Sequence, residues 1–388
     1  MAKFLPFAAV SLLLVAVVLS APDAAAAASS SSLGVRRYRY GSMFGFGDSY
    51  ADTGNNPVAF RRLSLSDPVM RPPYGATFFR RPTGRDSDGR LVIDFIAESL
   101  GLPLVPPFLA RKPNGSTFRH GANFAVGGAT AIDAAFFHRG DPPGGSTFPL
   151  NTSLGVQLQW FESLKPSLCA TAKGCKDFFR TSLFFVGAFG VNDYLLSLNA
   201  NNVSQVRPLV PDVIATISMA VERLIVHGAS TLVVPGIIPF GCAPPVLVGF
   251  ADRDPAGYDP KTGCLKGINE LVTHHNTLLQ QTVHDLQAKH APAGGVKIVY
   301  ADFFGPVMEM LTSPTKFGFE DVFTLCCGGP GRYNYNPKIF CGDAAGITCK
   351  DPSARVFWDG VHLTEAAYRH VAAGWLSSIQ SPGTAGGA

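Results

Sequence analysis

The chain is short of charge: 15% of its 388 residues are Asp, Glu, Lys or Arg, against about 25% in an average soluble domain. It is not short of core, with 46% hydrophobic residues, so a disordered chain, a coiled coil and a collagen-like fibre are excluded. Thirty-two Lys and Arg against 28 Asp and Glu leave a net charge of +4, too weak and too scattered for a nucleic-acid footprint. No Cys-x-x-Cys occurs, which removes the main support for zinc-ribbon and thioredoxin-like sites. Gly-x-Ser-x-Gly, the P-loop, His-Glu-x-x-His and Gly-x-Gly-x-x-Gly are also missing. With them go the usual α/β-hydrolase elbow and the common nucleotide and zinc-protease sites. Beyond the N-terminal stretch no apolar run approaches the 18 residues of a membrane span.

Gly and Pro are plentiful, 41 and 30 residues, together about 18% of the chain against an average near 12%. A loop-rich globular protein is expected. Met1–Ala28 reads as an export signal: Lys3 gives a positive start, Phe4–Ser20 is an uncharged run, and Ala24–Ala28 offers cleavage sites. The rival is an uncleaved anchor, because that run sits at the lower edge of a membrane span. Eight cysteines fit export to an oxidising compartment, where they allow up to four disulfides. Local pairing is expected for Cys169 with Cys175 and for Cys242 with Cys264, while Cys326 and Cys327 are expected to reach Cys341 and Cys349 rather than each other. Sequons at Asn114, Asn151 and Asn202 stand in loop-like sequence, and glycans there would compensate for the sparse surface charge.

Short β-branched or aromatic runs alternate with helical patterns. Ser42–Phe46, Leu183–Gly187, Thr231–Pro235 and Val296–Ala301 read as buried strands; Arg90–Leu100, Pro208–His227, Leu265–Lys289 and Glu365–Ile379 read as helices. This alternation predicts an α/β fold with a mostly parallel sheet covered on both faces. Its site is then expected at the carboxyl ends of the strands. Pro- and Gly-rich stretches read as insertions rather than linkers, so one domain over residues 40–380 is expected to follow the signal.

Two constellations carry chemistry. Phe44-Gly-Phe-Gly-Asp-Ser-Tyr places Ser49 just after a predicted strand, where its hydroxyl can stand above the sheet. Phe357-Trp-Asp-Gly-Val-His-Leu-Thr-Glu365 sets Asp359 and His362 three residues apart before the last helix. A carboxylate so close can hold an imidazole in one tautomer and stabilise its protonated form. The bland alternative makes Gly-Asp-Ser an ordinary turn and His362 a packed polar residue. Two glycine-rich stretches supply what a Ser–His pair lacks: Gly127-Gly128 can bring backbone N–H groups to a reacting oxygen, and Asn192 follows a predicted strand. His274-His275 could suggest metal, but adjacent residues of a helix face different ways and no third ligand stands at helical spacing.

Together the four blocks resemble the GDSL esterase/lipase family, the Ser-Gly-Asn-His hydrolases, and its plant branch in particular. The resemblance extends over nearly all of residues 40–376, through Val234-Pro-Gly-Ile-Ile-Pro-Phe-Gly-Cys-Ala-Pro244, His275-Asn276 and Cys326-Cys-Gly-Gly-Pro-Gly-Arg-Tyr-Asn334. It implies a three-layer α/β/α sandwich, with Ser49 as nucleophile, His362 as base and Asp359 orienting it. It further implies an oxyanion hole made of the Ser49 and Gly128 N–H groups and the Asn192 amide. No metal or organic cofactor is implied. One departure stands out: Tyr50 occupies the position of the Leu that gives the family its fourth letter, and there it is expected to alter the pocket wall. The expected activity is hydrolysis of carboxylic esters in the secretory pathway, in the cell wall or else the Golgi, removing acetyl or other small acyl groups from a cell-wall polysaccharide such as xylan or from a plant metabolite. Alternatives are a lipase on longer chains, an acyltransferase, and a catalytically idle carbohydrate-binding protein. Neither a nucleic-acid partner nor a membrane span after signal cleavage is expected.

Overall fold

The computed structural model describes residues 40–110, 118–137, 151–291 and 295–381. The expected signal over Met1–Ala28 and the sequon at Asn114 lie outside the described residues.

Five strands form one parallel sheet: β1 Ser42–Gly47, β2 Gly121–Asn123, β3 Ser182–Gly187, β4 Thr231–Pro235 and β5 Lys297–Ala301, in the order β2-β1-β3-β4-β5. β1 runs in register with β3 over its whole length, Ser42 opposite Ser182 and Gly47 opposite Gly187. Beside it β2 covers only Met43 to Gly45. The four longer strands match the sequence expectation to within a residue or two. β2 was not expected, since Gly-Ala-Asn has neither the length nor the β-branched residues that announce a strand.

The side chains alternate across the sheet as a pleat requires. Phe44 and Phe184 stack on one face against Phe161, Phe178 and Phe179. Phe185 points to the other and packs on Trp375. Helices therefore cover both sides, giving the expected α/β sandwich. In chain order they are α1 Asn56–Arg62, α2 Val92–Ser99, α3 Leu154–Leu168, α4 Ala172–Arg180, α5 Val191–Leu198, α6 Val203–Val206, α7 Val210–Val226, α8 Pro244–Gly249, α9 Lys266–His290, α10 Phe304–Thr312 and α11 Glu365–Gln380. α3, α7 and α9 pack in a row on the Phe44 face, and α2, α10 and α11 on the other. Thr364 caps α11 as expected, its hydroxyl accepting from Ala367 N.

All eight cysteines are paired: Cys169–Cys175, Cys242–Cys264, Cys326–Cys349 and Cys327–Cys341. The last two pairs lie side by side and enclose Trp358 with Val69 and Tyr74 in a small second core. A strand order of 2-1-3-4-5 puts the topological switch between β1 and β3, where ligands of such sheets bind. Ser49 and Asn192 follow those two strands.

Candidate active site

β1 ends at Gly47 with φ +152°, and a Cβ there would lie 2.5 Å from the Gly187 carbonyl oxygen. Only glycine fits that conformation so close to β3. Beyond the end of β2, Val126 N still donates to Gly47 O at 3.1 Å, and Gln157 of α3 completes the hydrogen bonding of this residue. The Gln157 Oε1 accepts from Gly47 N at 2.9 Å, and its Nε2 donates to Gly47 O at 2.8 Å. The chain then coils through one tight turn in which Ala51 N and Asp52 N both donate to Asp48 O. Ser49 stands on this turn, 8% exposed.

The second segment folds back on itself, Trp358 N donating to His362 O at 2.7 Å. This brings His362 Nε2 to 2.8 Å from Ser49 Oγ and His362 Nδ1 to 2.6 Å from Asp359 Oδ1. The other oxygen of Asp359 accepts from the Tyr74 hydroxyl. Cys326 N and Cys327 N donate to the carbonyls of Phe357 and Trp358, so both neighbouring disulfides tether the strand that carries Asp359. Asp86 completes the group, with Oδ1 3.9 Å from His362 Nδ1.

Burial opposes a charged imidazole at His362, but Asp359, Asp86 and Asp48 outweigh it and carry its pKa up to about 9. Burial also dominates at Asp48, pushing it up to about 8 against the Tyr50 N–H and His362. Asp86 is held well above the ordinary carboxylate range, again by burial first. His362 opposes that rise, while Asp359, Asp67 and Asp52 add to it.

Opposite this relay lies the glycine-rich stretch. Asp52 accepts from the N–H groups of Gly54, Asn55, Asn56 and Gly127, at 2.6 to 3.0 Å. It thereby ties the turn after Ser49 to the loop containing Gly127-Gly128. Asp193 of α5 holds the same loop from its far side, accepting from Ala131 N and Ile132 N. Burial outweighs these N–H groups at both carboxyls and raises each pKa to about 6. The Gly127 N–H is spent on Asp52, whereas the Ser49 and Gly128 N–H groups have no hydrogen-bond partner among the described residues. Gly128 has φ +77°. Asn192 Nδ2 donates to Ala129 O at 3.0 Å and, at a longer 3.3 Å, to Asp48 Oδ2.

The residues singled out in sequence thus meet at one end of the sheet, with Asp48, Asp52, Tyr74, Asp86, Gln157 and Asp193 around them. None of these six was singled out. Asp48 and Asp52 lie inside the block that carries Ser49, and Asp193 directly follows Asn192, but Tyr74, Asp86 and Gln157 come from unremarkable local sequence. Tyr50 differs from its expected place. It is buried, its hydroxyl donates to Val361 O at 3.0 Å, and its ring meets those of His362 and Phe303. It braces the histidine segment instead of lining a pocket wall.

His275 is buried and bonded to the Tyr194 hydroxyl at 2.7 Å, and burial pushes its pKa down to about 3. Of the sequons, Asn151 and Asn202 are exposed, and Asn202 caps α6 through its oxygen, which leaves its amide nitrogen outward. Of the Phe-Phe pairs at 78–79, 136–137, 178–179 and 303–304, Phe179 and Phe303 are core, whereas Phe78 and Phe136 are 42% and 40% exposed. A cavity of about 470 Å³ lies on the cysteine-rich insertion, lined by Thr324, Leu325, Pro330, Ile347 and Arg355 among others, away from Ser49. Ligand atoms of Asp86, Asp359 and His362 lie within 4.8 Å of one another, close enough for a metal ion. A cation there would displace the proton that His362 Nδ1 shares with Asp359.

Comparison with known proteins agrees with this geometry. The family model for GDSL-like lipases and acylhydrolases matches residues 43–375. GDSL esterase/lipase At5g45910 of Arabidopsis thaliana is 46% identical over 350 residues, 87% of this chain and 91% of the relative. GDSL esterase/lipase At1g28580 of the same plant is 43% identical over 344 residues, 87% of this chain and 84% of the relative. The chain therefore belongs to the GDSL esterase/lipase family and is an ester-hydrolysing enzyme.

Proposed function

We propose that Ser49 is the nucleophile of this esterase, His362 its general base and Asp359 the group that orients the base. The supporting observation is the unbroken run of hydrogen bonds from Ser49 Oγ through both ring nitrogens of His362 to Asp359. Neutral His362 takes the Ser49 proton at Nε2 as Oγ attacks the ester carbonyl carbon. The resulting oxyanion is received by the two unpartnered N–H groups, of Ser49 and Gly128, together with the Asn192 amide. Its weak 3.3 Å bond to Asp48 is the one the amide gives up. His362 then returns the proton to the departing alcohol. Water, activated by the same nitrogen, releases the acid from Ser49.

The natural substrate is read as a small acyl ester, acetyl above all, on a cell-wall polysaccharide such as xylan or on a plant metabolite. Family likeness supports this part of the reading. The reading is of a secretory-pathway protein with Met1–Ala28 as its signal and residues 40–380 as one hydrolase domain, and four disulfides support an oxidising compartment. Asn114, Asn151 and Asn202 are its glycan acceptors.

A fluorophosphonate probe tests the chemistry: wild-type protein should label and Ser49→Ala should not. Equal labelling of both would refute the nucleophile. Acetate release from acetylated xylan, set beside hydrolysis of p-nitrophenyl acetate and of a long-chain p-nitrophenyl ester, tests the substrate. Preference for the long chain would make the protein a lipase, and transfer to an added alcohol in place of release would make it an acyltransferase.

A further inference from the structure

Seven aspartates outside the Ser–His–Asp relay are buried around the site or beneath it, and six have their oxygens engaged. Asp48, Asp52, Asp67, Asp88, Asp94 and Asp193 accept from backbone N–H groups, and most also from side chains such as Asn56, Thr77 and Arg85. Asp86 is the exception. It is 7% exposed, no donor among the described residues reaches either of its oxygens within hydrogen-bond distance, and Oδ2 is sealed from solvent without a partner there. A buried carboxyl without a donor is costly and rare in a folded protein. Its nearest polar counterpart is His362 Nδ1, 3.9 Å from Oδ1, the same nitrogen that bonds Asp359.

The position of Asp86 is not the accident of a loose loop. Arg85 beside it makes a paired bond to buried Asp94. Ser87 O accepts from Gly75 N, and Asp88 accepts from Glu365 N at the start of α11. With both neighbours fixed, rotation of the Asp86 side chain is left to close the gap of about 1 Å to a charge-assisted hydrogen bond.

We infer that Asp86 is a second positioning residue for the base, a reserve carboxylate that receives the Nδ1–H of His362 when Asp359 does not. This rests on the triad reading above. As Ser49 gives up its proton, His362 becomes an imidazolium whose Nδ1–H faces two carboxyl groups; its positive charge opposes the burial that favours protonated Asp86, and an ionised Asp86 then adds its charge to that of Asp359. The other groups facing His362 are Asp48 and the ring of Tyr50. Those facing Asp86 are Asp359, Asp67 and Asp52 together with the hydroxyls of Tyr50, Tyr74 and Tyr368, Tyr74 being bonded to Asp359.

The test measures kcat/KM on p-nitrophenyl acetate for wild type, Asp359→Asn, Asp86→Asn, the double variant and Ser49→Ala, each across pH. A triad whose only orienting carboxylate becomes an amide loses about 10⁴-fold. Here Asp359→Asn should lose on the order of 10²-fold, and the double variant should lose at least about tenfold more than the product of the single losses. In Asp86→Asn the rising limb of the profile should move to lower pH, because removing a negative neighbour lowers the pKa of His362. A purely structural role would leave that limb in place. Losses that simply multiply, or an unmoved limb, would overturn the inference. If Asp86→Asn does not fold, Asp86→Ser replaces it, and a full loss of about 10⁴-fold in Asp359→Asn alone overturns the inference equally. Turnover by Ser49→Ala would instead refute the triad. An inert Ser49→Ala beside multiplying losses would leave the triad standing and remove only Asp86.

Discussion

As the proposed base, His362 must be neutral to accept the Ser49 proton, yet the carboxyl groups of Asp359, Asp86 and Asp48 hold its pKa at about 9. A midpoint there leaves about 1% of the base neutral at pH 7 and about half at pH 9. kcat/KM should therefore climb roughly tenfold per pH unit between pH 6 and 8 and level off above 9. Stability should move the other way. A histidine with a raised folded pKa stabilises the fold fully below its unfolded value of 6.5 and loses that contribution as pH rises through 9. For His362 the difference is on the order of 3 kcal/mol. Asp48, raised from 3.8 to about 8, has the same sign, since its native form binds a proton more tightly than the unfolded chain does. Its share is lost between those two values. The assay is initial-rate hydrolysis of p-nitrophenyl acetate from pH 6 to 10, with Ser49→Ala as the blank for spontaneous hydrolysis and thermal melts in the same buffers. A limb centred at or below pH 6.5, or melting temperatures that rise from pH 7 to 9, would refute the claim that the carboxylates outweigh burial at His362.

Asn192→Ala should lower kcat by about 10² to 10³-fold with KM little changed, because an oxyanion donor acts on the transition state; steady-state kinetics check this split. Arg85→Ala removes the only cation paired with buried Asp94 among the described residues and leaves it the Leu91 N–H alone, since the guanidinium holds both its oxygens at 2.7 and 2.8 Å. The loss should be about 3–5 kcal/mol in a urea titration. Removing the Cys327–Cys341 bridge with serines frees a segment of sequence separation 14 and should cost about 3 kcal/mol by loop entropy. As Cys327 N bonds Trp358 O, one residue before Asp359, kcat should fall as well, and melts and kinetics on the same preparation test both effects.

The sheet was legible because buried parallel strands write themselves as continuous apolar runs, and Leu183–Gly187 and Thr231–Pro235 could be read almost to the residue. The relay was legible because Asp359 and His362 are neighbours in sequence and Ser49 directly follows a strand. β2 was not, and neither was α3, where Pro166 and a thin apolar stripe blur the helical period. The disulfides followed the expected grouping, but which of Cys326 and Cys327 meets Cys341 depends on the fold of the insertion and not on spacing. Tyr50 was misplaced for a related reason. Its partner Val361 is 311 residues away, and no local pattern announces such a contact.

What escaped the sequence has a common physical form. Asp52, Asp193 and Gln157 each spend a buried polar side chain on backbone groups of a distant loop, Gly127 N, Ala131 N and Gly47 N. The side proposed to receive the oxyanion is therefore assembled by side chains whose oxygens are spent on backbone N–H groups, acting on glycine-rich backbone that cannot hold its own shape. On the base side Tyr50, Tyr74 and two disulfides do the corresponding work on the segment around Asp359 and His362. Disulfides apart, each support is a buried polar group that would be costly if its partner moved. The geometry of the relay and the stability of the fold are thus fixed by the same bonds, and loosening either side should show in melting temperature as well as in turnover.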